Sequence, residues 1–236
     1  MSDLVRLAAR NNAEWCDAVC RNWGRPGEFR PNVWLNLHPA PPFYPNAVTL
    51  TPDDDRGQRA ALDALANELG NGFAIKDSFA TLDLAPLGFA PLFSASWIAR
   101  LPGNPVPAGD YNGLDWRIVS TPEAFDAWQS GWAGEASTPS PFAASLLPDP
   151  AITLVGGWHG DTILAGAALN RSTSAMGWSN VFVPDDEARE CRAGALRFAL
   201  SLAGNLPLLG YERGEALAQS LALGFTACEP LTIWGR

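Results

Sequence analysis

Tyr211, Glu212 and Arg213 place a phenol, a carboxylate and a guanidinium on consecutive residues after an apolar run that begins at Leu206. A carboxylate next to a phenol is material for proton transfer. Glu212 and Arg213 can instead be solvated, or form an ion pair capping the helix expected next. Asn180 stands alone in the apolar stretch Ala175 to Val183. If buried, its amide must find hydrogen-bond partners, as a structural group or as part of a site. A third polar cluster, Arg189-Glu190-Cys191-Arg192-Ala193-Gly194, opens a stretch of helical periodicity. Lys76 is the only lysine, so a Schiff-base or amine-nucleophile mechanism has a single candidate. Nothing beside it in the sequence supports that chemistry.

Other reactive residue types carry little. His38 adjoins proline-rich coil and His159 sits in a hairpin turn, so both read as surface loop residues. Cys16 and Cys20 are one helical turn apart, with no histidine or second cysteine pair nearby. They fit small buried residues on one helix face better than half a metal site, and no metal is expected. No Gly-x-Ser-x-Gly elbow or Walker loop occurs, which leaves hydrolase and nucleotide-triphosphatase readings without support. Trp34, Phe43 and Tyr44, flanked by prolines, belong either to the core or to a ligand pocket or interface.

The elements that must position these residues can be read along the chain. Hydrophobic residues make up 47% of the sequence and charged residues 17%, which suits a packed core rather than disorder. The net charge of -9 argues against a nucleic-acid partner. No run reaches membrane-spanning length and the N-terminus lacks a signal-peptide layout, so a cytoplasmic protein is expected. In residues 1–100 the spacing predicts a helix near Ser2 to Trp23, a strand from Ala47 and a helix through Leu69 with Asp53 to Asp55 at its start. A strand near Gly72 to Phe79, a helical turn and a strand from Phe89 follow. Residues 101–113 read as a proline- and glycine-rich linker. Residues 114–236 predict β-α-α-β-β-β-α-β-α-β, with short helices at Pro139 to Leu147 and Glu215 to Leu223.

The two parts match in places. Thr49-Leu50-Thr51-Pro52-Asp53-Asp54-Asp55 resembles Val181-Phe182-Val183-Pro184-Asp185-Asp186-Glu187, and Leu87-Gly88-Phe89 resembles Leu223-Gly224-Phe225. Pro52 and Pro184 are 132 residues apart, Gly88 and Gly224 136. That near-constant phase argues for two related units, the first without hairpin strands and so truncated. Pro-Asp-Asp is also a common helix start in its own right.

Three features of residues 114–236 resemble the GNAT superfamily of N-acetyltransferases: the element order, the strand Trp178 to Val183 with its following helix, and the helix ending in Leu223-Gly224-Phe225. The resemblance implies an α/β (α+β mixed-sheet) acyl-CoA N-acyltransferase fold, with a degenerate first unit at residues 1–100. It implies acetyl-CoA as cosubstrate, no metal, and a small-molecule amine or peptide N-terminus as acceptor. Val181, Phe182 and Val183 would lie beside the coenzyme arm, and Arg189, Arg192 and Gly194 would fall in the loop that holds its pyrophosphate. Arg192 stands where that loop has its first glycine. It either meets the phosphates by a charge-assisted contact or marks a loop that no longer binds coenzyme. The family's frequent tyrosine falls at Ser220, which leaves Tyr211 as acid, Glu212 as base and Asn180 as a further site residue. The alternative is a catalytically inactive GNAT-like module that binds a ligand or a protein.

Overall fold

A computed structural model describes residues 3–52, 55–105, 113–134, 139–184 and 188–236. The expectations for Asp53, Asp54, Asp185, Asp186 and Glu187 lie outside the described residues.

The chain opens with helix α1, Asp3–Asn22, which buries Val5, Ala8, Ala9, Trp15 and Val19 on one stripe. Two short strands follow, β1 (Glu28–Phe29) and β2 (Val33–Leu35), paired antiparallel. The sequence expectation gave this part no hairpin, and strands this short carry no alternation to read. Then come β3 (Ala47–Thr49), α2 (Asp55–Leu69), β4 (Ala74–Asp77), a 3-10 turn at Ala85–Leu87, and β5 (Ala90–Arg100).

The rest of the chain runs β6 (Asp115–Ile118), α3 (Pro122–Ala133), β7 (Ile152–His159), β8 (Thr162–Arg171), β9 (Met176–Phe182), α4 (Ala188–Ala203), β10 (Leu208–Glu212), α5 (Gly214–Ala222) and β11 (Thr226–Gly235). Thr121 caps α3 through its side chain, with Pro122 in the first turn, as the Thr-Pro-Glu signature predicts. The helix expected at Pro139 to Leu147 is only a 3-10 turn at Ala144–Leu146. Pro148 bounds it on the C-terminal side.

Among the described residues all eleven strands form one sheet, in the order β1-β2-β3-β4-β11-β5-β10-β9-β8-β7-β6. The order places β5, from the first part of the chain, between β10 and β11. It also places β11, from the second part, between β4 and β5. Outward from the β11–β5 centre the pattern repeats on both sides: a parallel pair (β3 with β4, β9 with β10), then antiparallel strands. The last strand of each part therefore completes the sheet of the other. Gly88 and Gly224 hold the turns before these two strands, at φ of 81° and 85°. Only glycine adopts that backbone without strain.

The helices divide between the two faces. Helix α4 covers Trp178, Leu208 and Phe225 on one face. Helix α1 covers Trp97, Leu209 and Tyr211 on the other, and α3 closes over Phe182 and Leu154. No helix among the described residues is long and apolar enough to cross a membrane.

Candidate active site

The parallel pair β9–β10 is where the sheet opens. Its two strands are in register only at Leu208↔Met176 and Leu209↔Gly177. Beyond those residues neither Trp178 to Phe182 nor Gly210 to Glu212 finds a ladder partner in the other strand. A bulge in β9 helps turn it away: on β8 the register steps from Ala168↔Ser179 to Gly166↔Phe182, leaving one extra residue on β9. Asn180 lies at this bulge with a left-handed φ of 52°, a conformation asparagine tolerates better than most residues. Its Nδ2 donates to Ser179 Oγ at 3.0 Å. The other parallel pair also registers at two positions, Ala47↔Ile75 and Val48↔Lys76, and just past them the Ser78 N–H donates to Thr49 Oγ1 at 2.8 Å.

Side chains alternate along β10. Tyr211 points to the α1 face, edge-on to Trp97 at 5.7 Å. Glu212 points to the α4 face, where Oε1 accepts from Arg192 Nη1 at 3.2 Å. An ion pair between Glu212 and Arg213 is one of the alternatives the sequence leaves open; Arg213 instead lies 4.5 Å over the Phe93 ring. Burial pushes the Glu212 carboxyl above its ordinary value of 4.5, and the Arg192 guanidinium pulls it back only in part.

A cavity of about 280 Å³ reaches the opening from the α1 face. Its polar lining includes Asn12, Tyr44, Lys76, Asn180, Tyr211 and Glu212, and its aromatic walls include Trp15 and Trp97. Tyr44 interacts with the side chains of Asn180 and Trp15, and burial raises its hydroxyl well above the usual phenol value. A second, larger cavity of about 760 Å³ shares Phe43, Tyr44, Pro45, Lys76 and Tyr211 with the first.

The structure brings Asn180, Val181, Tyr211 and Glu212 to one cavity. Phe182 turns away and packs on Trp128, with ring centroids 5.5 Å apart. Val183 follows β9, half-buried. Arg189 is exposed in the first turn of α4. Arg192 is buried, and its Nε has no hydrogen-bond partner among the described residues. Gly194 lies inside the helix, and a Cβ there would meet the Trp116 indole at 2.6 Å, so its bareness serves packing against β6. Ser220 is buried and lines neither cavity, so it does not stand in for the tyrosine the family often has there. Asn12 is a residue that sequence reasoning missed, and Lys76 is one it named only as an unsupported nucleophile. Only the fold brings β4 and α1 to the same opening.

A mixed sheet opened at a parallel pair, with a helix crossing from one strand of that pair to the other, is the fold of the GCN5-related N-acetyltransferases. Solved structures of that class match nearly the whole chain. A GCN5-related N-acetyltransferase from Kribbella flavida superposes with a TM-score of 0.64 at 17% identity, covering 97% of this chain and 95% of that one. A GNAT-family structure from Novosphingobium aromaticivorans gives 0.58 at 16% identity, with coverage of 94% and 98%. A tandem GNAT protein from the clavulanic acid biosynthesis pathway gives 0.54 at 13% identity, with coverage of 86% and 78%. At these identities the likeness is one of fold. No protein-family model and no curated protein sequence matches the chain.

Proposed function

We propose that the protein is an acyl-CoA-dependent N-acyltransferase built from two related units, of which only the second holds coenzyme. The observation that carries this reading is the open β9–β10 pair with a polar cavity at its mouth. The unpaired edges of two diverging strands suit an extended amide-bearing chain such as a pantetheine arm. The buried Arg192 Nε, which lacks an acceptor among the described residues, suits a phosphate oxygen. The repeated strand pattern and the matching turns at Gly88 and Gly224 support the two units.

The chemistry divides between the two faces. Glu212, with its carboxyl raised by burial, takes the proton from the attacking amine, directly or through water. As the C–N bond forms and the C–S bond breaks, the Tyr211 hydroxyl gives its proton to the departing thiolate. Asn180 holds the β9 bulge that turns the strand edge toward the cleft. The test is a thermal-shift and calorimetric titration with acetyl-CoA. Wild type gains stability and Arg192→Glu binds more weakly. No shift at millimolar acetyl-CoA would count heavily against the reading.

One observation favours a second reading. The Arg192–Glu212 ion pair links α4 to β10 on the face where coenzyme would enter. If that pair is permanent, the protein is a non-catalytic GNAT-like module that uses its cavity to bind a ligand. Product formed from radiolabelled acetyl-CoA and an amine panel would exclude this.

A further inference from the structure

Lys76 lies on β4 with only 2% of its surface exposed, yet it lines both cavities. Its Nζ donates to Asn12 Oδ1 at 2.6 Å and sits 4.3 Å over the Tyr211 ring. No carboxylate among the described residues forms an ion pair with it. Its neighbour Asp77 is engaged elsewhere, its two oxygens accepting from the backbone N–H groups of Phe79 and Leu82. Glu212, the other charged residue of the smaller cavity, is held by Arg192. The larger cavity adds only Arg236, so it carries positive charge alone.

A buried cation whose partners are an amide oxygen and a ring face has given up most of its hydration without a counter-charge. Such a site is completed by an anion. From this we infer that Lys76 binds a carboxylate of the acceptor, and that the acceptor is an amine of amino-acid size bearing that carboxylate. This rests on the acyltransferase reading of the cleft. A carboxylate carries the single charge that one lysine offsets, whereas a phosphate would leave negative charge over in the smaller cavity, whose other charged residue is Glu212. The volume of about 280 Å³ admits one amino acid, and the Trp15, Tyr44 and Trp97 walls favour an apolar or aromatic side chain. The carboxylate at Lys76 would also offset the repulsion that an ammonium-bearing acceptor meets there.

The experiment titrates the purified protein with matched pairs: phenylalanine, leucine and methionine against their carboxamides and against phenethylamine. Binding is read by calorimetry without coenzyme, and turnover is read separately with acetyl-CoA. Wild type should bind the carboxylates about tenfold to a hundredfold tighter than the amides, the range of one charge-assisted contact. Lys76→Met should abolish that preference while leaving acetyl-CoA binding unchanged. Asn12→Asp serves as a second variant, since it gives Lys76 an internal carboxylate. It should weaken the acids and leave the amides unchanged even if Lys76→Met does not fold. Equal affinity for acids and amides, no binding of any acid, or a preference that survives both substitutions would overturn the assignment. Lys76-dependent binding without acyl transfer would sustain the anion site and reject the acyltransferase reading. Acyl transfer without carboxylate preference would do the reverse.

Discussion

The Lys76 side chain, on β4, reaches the Tyr211 ring on β10, three strands along the sheet, with Nζ 4.3 Å from the ring centroid. The contact gives Tyr211 two separable parts: a ring that supports the cation and a hydroxyl available for proton transfer. Tyr211→Phe keeps the ring against Lys76 and Trp97 and removes only the hydroxyl. If that hydroxyl protonates the departing thiolate, kcat falls by about 10²- to 10⁴-fold, with acceptor KM and the unfolding midpoint little changed. An unchanged kcat would show that the thiolate leaves without help from Tyr211.

Glu212 predicts two pH dependences of related origin. Burial raises its carboxyl above 4.5, so the native state holds the proton more tightly than the unfolded chain does. Its contribution to stability is present in full below the ordinary carboxylate value and is lost as pH rises through the raised one. The unfolding midpoint of wild type should therefore drop more steeply above pH 4.5 than that of Glu212→Gln. If Glu212 is the base it must be ionised, so the acidic limb of kcat/KM should also lie above 4.5. Superimposable stability profiles for the two proteins would remove Glu212 from this role.

Much of this was legible in the sequence, for identifiable reasons. The Thr121-Pro122-Glu123 cap, the run through Leu223-Gly224 and the strands of the β7–β9 meander are local signals, and they lie where the sequence puts them to within a few residues. The β1–β2 hairpin was not legible, because two and three residues are too few for a period. The exchange of β5 and β11 is invisible to any local pattern, since it concerns which strand lies beside which. Lys76 was dismissed on its sequence neighbours. Its surroundings come from α1 and β10, which lie far from it in the chain.

The exchanged strands make a prediction about cutting the chain. Fragment 1–100 alone would leave β4 and β5 without the β11 that joins them, and fragment 113–236 would leave β10 and β11 without β5. Each would expose unpaired edges over apolar faces, a recipe for aggregation. Expressed separately, both fragments should be insoluble; co-expressed, they should copurify as one folded complex. Separate fragments that unfold cooperatively from a soluble state would contradict the shared sheet.

Gly210 tests how the opening itself is held. It lies one residue past the last parallel register of β9 and β10, and a Cβ there would stand 2.4 Å from the Trp178 carbonyl oxygen. That oxygen is backbone, so the clash cannot be relieved by turning a side chain. Gly210→Ala must push the two strands apart, at about 1–3 kcal/mol of overpacking. Gly194→Ala also meets an obstacle, the Trp116 indole at 2.6 Å, but on β6, away from the opening. Both substitutions should lower the unfolding midpoint. Only Gly210→Ala should also change the affinity for acetyl-CoA, because only it alters the spacing of the strands that would grip the pantetheine arm. Calorimetric titration of both variants decides the point: equal acetyl-CoA affinity in Gly210→Ala and wild type would mean that coenzyme, if bound, does not sit between β9 and β10.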